Sequence, residues 1–408
     1  MKLLKVDTIQ QVLEKMEYHF GDIELKGEVI NIEEAVGRTV KEDIYSQFNI
    51  PDFNRSTVDG YAIVAADTFG VTDSIPVFLD VIGQVEMGRS TDITISKGKA
   101  AYVPTGGMVP PGADAVIMIE HIEEMDSNTI AAYSSTAPGE NVIKIGDDVS
   151  KGDQLIHKGK QIKPQDIGVL TAAGIRHITV FEKPKAAVIS TGDEIADPFG
   201  EIKFGEVRDI NTYTLSAMLE EMGASITVKS VIKDEYELLK SAVEAALIHN
   251  HIVIISGGSS VGTKDVTAKV IDSMGEPGVF VHGMAVKPGK PTIVGKAKGK
   301  ALFGLPGHPV SAVIVFKILV GHFIARLMHR ENLKLQVPAV CSVNVHSSPG
   351  RETFQMVELE KTENGYAAIP LHGKSGAISL VSRAQGFVRI PHNKEGISKG
   401  ETVMVELL

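Results

Sequence analysis

The sequence predicts a multidomain α/β plus β protein, with a doubly wound α/β domain flanked by β-rich segments. Three observations carry that expectation. Between Lys183 and Leu327, apolar strand-like runs alternate with stretches of helical spacing, the pattern of a mostly parallel sheet covered on both faces. From about 47 to 180, β-branched runs are separated by Gly and Pro, and from Leu333 the pattern is all-β again. At ~100–200 residues per domain, the 408 residues allow about two to four domains.

The elements follow in order. Asp7 ahead of "TIQQVLEKMEYHF" reads as an N-capped amphipathic helix. Strands are expected in "PVFLDVIGQVEMG", "AAYVPTG", "DAVIMIEHIEEM" and "TIAAYSS". "PGENVIKIGDDVSKGDQLIHKG" reads as short strands with Gly-Asp turns, and "KPQDIGVLTAAGI" as one short helix stopped by Gly174. The alternating region then reads as strand "KAAVIS", helix "DINTYTLSAMLEEMGA", strand "SITVKSVI", helix "DEYELLKSAVEAALIHN", strand "HIVIIS" and helix "TKDVTAKVIDSM". "PTIVGKAKGKALFGLPG" is strand, turn, strand, and an apolar helix runs from His308 to Leu327. The last strands are "QVPAVCSVNV", "TFQMVELEKTENGYAAIPL", "GFVRIP" and "ETVMVEL".

Composition narrows the function. Hydrophobic content of 43% and charged content of 23% are ordinary for a globular protein. A net charge of −10 argues against a nucleic-acid partner, which selects broad basic surfaces. The single cysteine, Cys341, permits neither an internal disulfide nor a thiolate metal cluster and reads as a buried small hydrophobe. The most apolar stretch, 310–328, is interrupted by Lys317, His322 and Arg326, so a buried or subunit-interface helix is expected rather than a membrane span. The N-terminus lacks the continuous apolar core of a signal peptide. A cytoplasmic protein is expected.

Chemistry concentrates where the predicted strands of the α/β region end, since ligands of open α/β sheets bind beyond the carboxyl ends of strands. One strand ends in Ser190-Thr191-Gly192-Asp193-Glu194. Another ends in Gly257-Gly258-Ser259-Ser260-Val261-Gly262-Thr263-Lys264-Asp265, a glycine loop whose lysine falls one position too late for a P-loop. A third ends in Pro306-Gly307-His308-Pro309. Any one of these loops is simply a turn on its own. Three on one rim offer backbone N–H groups to an anion. Glu194, Asp234 and Asp265 add carboxylates that could hold Mg²⁺ beside a phosphate, with helix capping as the plain alternative for Asp234 and Asp265. Lys287 and Lys290, in the proline-stiffened "VKPGKP", are candidate point charges for an oxyanion. His308 reads as a hydrogen-bonding loop residue, with no partner at metal-ligand spacing. "NRSTVDGYAI" and "VPTGGMVPPGADAVI" read as hairpin loops on composition alone.

Taken together, "STVDGYAI", "PTGGMVPPGADAVI", "STGDEI", "SGGSSVGTKD", "VKPGKP" and "GLPGHPVSA" resemble, in that order and over essentially the whole chain, the molybdopterin molybdenumtransferases (the MoeA and gephyrin E-domain family). The resemblance implies an N-terminal helical segment at 1–26, a small β domain from 27–45 and 140–178, and a β-rich inserted domain at 46–139. It further implies an α/β molybdopterin-binding domain at 179–328 and a C-terminal β-barrel at 329–408. It implies an elongated homodimer in which the first domain of one subunit reaches the α/β domain of the other. The implied reaction consumes adenylylated molybdopterin and molybdate, cleaves the pyrophosphate bond and releases AMP with the help of Mg²⁺. A molybdopterin adenylyltransferase is an implied partner. Glu194, Asp234 and Asp265 match the family's functional acids, and Asp59 and Thr105 match functional positions of the N-terminal signatures. Lys287, Lys290 and Arg351 match basic positions tied to oxyanions and phosphates, with Ser375 a weaker match. His308 stands where Asn is common, and Lys374 where a small or polar residue is usual. Tungstate insertion and a non-catalytic pterin-binding scaffold are the alternatives.

Overall fold

The computed structural model describes residues 6–257, 266–331, 334–347 and 349–408. Its first helix, Ile9–Phe20, is capped by Thr8 rather than by Asp7. The Thr8 hydroxyl accepts from the Gln11 amide at 3.3 Å and the Gln11 side chain accepts from the Thr8 amide at 2.9 Å, a reciprocal capping box. Asp7 instead accepts a 2.6 Å bond from Lys15 and bridges to Met284. The buried stripe Ile9, Val12, Met16 and Phe20 follows the helical period. It packs on the α/β domain, where Phe20 meets Phe323 at 4.7 Å and Phe303 at 5.8 Å between ring centroids.

Two β-rich units follow. In the smaller, Gly27–Asn31 pairs antiparallel with His177–Phe181, and Ile44–Tyr45 with Gln154–Ile156. The helix Pro164–Ala172 closes over a core of Ile32, Val40, Ile162, Leu170 and Val180, and Gly174 ends it with a φ of 68°, the left-handed conformation that suits glycine. The larger unit is a six-stranded sheet centred on Gly60–Ile63, Lys99–Val103 and Val77–Gln84.

The α/β domain has one six-stranded sheet. Its order is Ser225–Ile232, Lys185–Thr191, Ile252–Gly257, Lys300–Leu305, Ile293–Ala297, Gly278–His282. The first four strands are parallel. Ile293–Ala297 is antiparallel to both its neighbours, so Gly278–His282 again points the same way as the four. Five strands therefore end on one rim. Strand order reverses between Lys185–Thr191 and Ile252–Gly257, which places the crevice where such sheets bind ligands. Helices Asn211–Glu221 and Pro309–Leu327 cover one face together with the N-terminal helix. Tyr236–His249 and Val266–Ser273 cover the other. The segment Pro309–Leu327 is apolar enough to cross a membrane by length and composition, yet 78% of it is buried within the protein, which makes it a core helix. Its middle, Phe316–Val320, is a π turn.

In the C-terminal region, Glu352–Thr362, Gly365–Pro370, Gln336–Cys341, Thr402–Leu407 and Gly386–Ile390 pair in that order, and the last pairs back with the first. This is a closed five-stranded barrel, which leaves no free sheet edge among these strands. Cys341 is 2% exposed inside it. A short helix, Ile378–Arg383, breaks the all-β expectation.

Candidate active site

The rim brings together most of the candidates. Ser190 and Thr191 lie at the end of their strand, both buried. Thr191 pairs with Gly257 across the crevice. A Cβ on Gly257 would sit 2.0 Å from the Thr191 carbonyl oxygen, and its φ is 110°, so only glycine fits there. The Thr191 hydroxyl donates to Asp234 Oδ1 at 2.5 Å, and the Asp234 amide donates to Asp193 Oδ1 at 3.3 Å. Asp234 is thus no helix cap: Glu235 holds that position in the following helix, and the Asp234 carboxylate faces the neighbouring strand end. Glu194 follows Gly192 on the same loop, and its carbonyl accepts from the Val207 amide at 2.8 Å. Gly258, Ser259, Gly262, Lys264 and Asp265 lie outside the described residues. Among the described residues no three metal-competent side chains converge.

Pro306, Gly307, His308 and Pro309 form the turn into the long helix, with Pro in its first turn. His308 Nδ1 and Ser375 Oγ are 2.8 Å apart, and the Val310 amide donates to the Ser375 carbonyl at 3.1 Å. The barrel loop therefore sits on the start of this helix. The Lys287–Lys290 loop reaches the same place, because Gly289 lies against Val315 and Ser311. Val286–Lys287 also pairs with Glu352–Thr353, which puts Arg351 one residue from that pairing. None of Lys287, Lys290 and Arg351 is in an ion pair among the described residues. Three cations without an ion pair among the described residues thus lie on the loop packed against this helix and on the segment paired with it, a local run of positive charge on a protein of net charge −10.

Asp59 and Thr105 belong to the larger β-rich sheet instead. Asp59 Oδ1 accepts from the Thr105 amide at 2.8 Å, so the two signatures meet, and both residues are exposed. The following Gly60 has no room for a side chain, since a Cβ would lie 2.0 Å from the Ile117 carbonyl oxygen. Among the described residues, no hydrogen bond or ion pair joins this loop pair to the rim in the same chain.

A buried polar network beneath the rim escaped the sequence reading. Asp209 Oδ1 accepts from the Ser190 hydroxyl at 2.9 Å and from the Thr212 amide at 3.2 Å. Ser190 and Thr212 share a further bond at 2.8 Å. Asn211 Nδ2 donates both to Ser256 Oγ at 2.8 Å and to the Gly307 carbonyl at 2.7 Å. One short segment thus ties the ends of three strands together. Its only sequence signal is "RDIN" ahead of a helix, which looks like ordinary capping.

An open sheet whose switch-point crevice is lined by carboxylates, hydroxyls and glycine, with cations at one end, defines a multidomain α/β protein built to hold an anionic ligand. Comparison with known proteins makes this specific. The profile of the MoeA N-terminal region (domain I and II) matches residues 5–174, the "Probable molybdopterin binding domain" matches 187–326, and the MoeA C-terminal region (domain IV) matches 338–408. A molybdopterin molybdenumtransferase of Haemophilus influenzae is 32% identical over 383 residues and 93% of each chain. A solved molybdopterin biosynthesis MoeA protein of Pyrococcus horikoshii is 41% identical, with a TM-score of 0.88 over 99% of both chains. A second from that organism is 31% identical with a TM-score of 0.82. The chain belongs to the MoeA family of molybdopterin molybdenumtransferases, and is a transferase of molybdenum cofactor biosynthesis.

Proposed function

We propose that the protein inserts molybdate into adenylylated molybdopterin, cleaving the pyrophosphate bond and releasing AMP. The observation that supports this reading is an acidic crevice end, where Asp234 accepts from Thr191 and Glu194 lies on the adjoining loop, together with Lys287, Lys290 and Arg351 on the segments that pack against the Pro309 helix, none of them in an ion pair among the described residues. Cleavage of a phosphoanhydride needs charge neutralised on phosphate oxygens and donors aimed at the developing charge. Lys287, Lys290 and Arg351 bind and orient the oxyanions. Ser375 and His308 fix the barrel loop over them. The residues present fit Mg²⁺: two carboxylates suffice for an ion that keeps water and phosphate oxygens in its shell. Glu194 and Asp234, with Asp265, would hold it, and when bound it supplies charge neutralisation at the phosphates.

Asp59 and Thr105 complete the site from a second subunit in this reading, which makes the working form a homodimer. The test is AMP release from adenylylated molybdopterin with Mg²⁺, with and without molybdate, and with tungstate in a parallel arm. Molybdate-dependent AMP release supports the reaction. Binding without release would sink it in favour of a pterin-binding scaffold. Asp59→Ala and Asp234→Asn should each lose activity, and mixed subunits should recover part of it. No recovery, with subunit exchange confirmed, would remove the shared site.

A further inference from the structure

Arg55 stands four residues before Asp59, in the short strand Arg55–Ser56. Its backbone is held from two sides, by Ile143 and by Met108. Its neighbours are tied to the Thr105 loop. The Val109 amide donates to the Asn54 carbonyl at 2.8 Å, the Ser56 amide to Gly107 at 3.0 Å, and the Gly106 amide to Ser56 at 2.8 Å. Ser56 turns its hydroxyl back onto the Val58 carbonyl at 2.6 Å, and strand alternation sends Arg55 to the opposite face.

The Arg55 Nε is buried and has no hydrogen-bond partner. No acid pairs with its guanidinium among the described residues. The other buried orphan side-chain atoms there are two serine hydroxyls, Ser216 and Ser342. Hydroxyls are small and neutral, whereas a guanidinium stays charged at any working pH. Arg55 as a whole is half-buried, so its charge reaches solvent, but the buried Nε–H lacks an acceptor, which is destabilising; beside the Asp59–Thr105 pair that donor is open to an acceptor from outside the chain.

We infer that Arg55 is an anion-binding residue of the N-terminal signature loops, holding a phosphate group of the substrate. The planar fork of donors matches a phosphate's oxygens. Asp59, which accepts from the Thr105 amide at one oxygen, forms no ion pair with Arg55 among the described residues. The assignment rests on the phosphoanhydride reading proposed above. It gives the β-rich domain a ligand-binding role of its own.

The test uses the full chain and two variants, Arg55→Met and Arg55→Lys. Isothermal titration with inorganic pyrophosphate reads binding without turnover. Arg55→Met should weaken pyrophosphate about tenfold and raise KM for adenylylated molybdopterin by a similar factor, the loss of one charge-assisted contact. Its thermal midpoint should stay level or rise, because the orphan donor is gone. Arg55→Lys keeps the charge without the fork and should weaken pyrophosphate several-fold. Molybdate affinity should be unchanged in both. Unchanged pyrophosphate affinity in either folded variant overturns the assignment, as does a fall confined to molybdate, which would make Arg55 a metal-oxyanion contact. If the wild type binds pyrophosphate through Arg55 but releases no AMP, the proposed reaction fails while Arg55 keeps its role.

Discussion

Replacing Asn211 with alanine should loosen the rim from below. Its side chain is 7% exposed and donates to two strand ends, Ser256 Oγ at 2.8 Å and the Gly307 carbonyl at 2.7 Å. Each neutral hydrogen bond contributes about 0.5–1.5 kcal/mol net, and a buried acceptor left unpaired costs about 1–3 kcal/mol. The Ser256 hydroxyl can rotate to another partner, and the Gly307 carbonyl, on an exposed residue, is left to water, so the expected loss is about 1–3 kcal/mol. Asn211→Asp is nearly isosteric and should be no milder, because it sets a carboxylate oxygen against that carbonyl. The assay is hydrogen exchange of peptides covering 252–257 and 300–309, beside steady-state kinetics. Protection should fall in both segments together, and KM should rise more than kcat falls, since the spacing of the binding loops changes before the reacting groups do. A loss under about 0.5 kcal/mol, or exchange altered in one strand only, would refute the idea that Asn211 joins the two.

Two further expectations concern the frame around the site. Phe20→Ala removes a fully buried ring packed against Phe280, Phe303 and Phe323, and should cost about 3–5 kcal/mol; urea unfolding of the α/β domain checks it, and an unchanged midpoint would detach the N-terminal helix from that core. In the small β domain, burial pushes the Asp166 carboxyl up, but the bonds from Lys160 and the Lys163 amide outweigh it, so its pKa lies below the ordinary 3.8. Its stabilisation is therefore full above pH 3.8 and fades as pH falls through the lower folded value. Asp166→Asn should cost about 1–2 kcal/mol at neutral pH, with the gap to wild type closing below pH 3.8 in a series of thermal midpoints; a gap independent of pH would contradict the Lys160 pairing.

The central strands of the α/β domain were legible because they are buried on both faces and read as unbroken apolar runs, Ile252–Gly257 being placed to within one residue. The half-exposed edge strand Ser225–Ile232 was placed to the residue from its β-branched content between turns. Gly278–His282 was not, since five residues between two glycine-rich turns give no period to count. The helix cap moved from Asp7 to Thr8 because both residue types cap, and only the reciprocal reach of Gln11 decides between them. Barrel closure depends on Thr353 meeting Ile390, a pairing that no local pattern announces. At the site, glycines, lysines and acids in loops were visible from residue type alone. Asp209, Asn211 and Arg55 were not, because their roles come from what lies opposite them in space: a hydroxyl, two strand ends, and for the Arg55 Nε no acceptor within the described chain.

The docking of the Ile9–Phe20 helix onto the α/β core has a consequence for biosynthesis. Phe20 waits for Phe303 and Phe323, which leave the ribosome roughly 300 residues later. At about 5–20 residues per second that is on the order of 15–60 s. Meanwhile both β-rich units emerge complete and can close on themselves, while the helix trails with its apolar stripe uncovered. Residues of this early helix are thus among the last to find their partners. The β-rich units behave as a long excursion out of a domain whose elements lie on both sides of them, and the newborn chain must keep one sticky helix shielded until the core arrives.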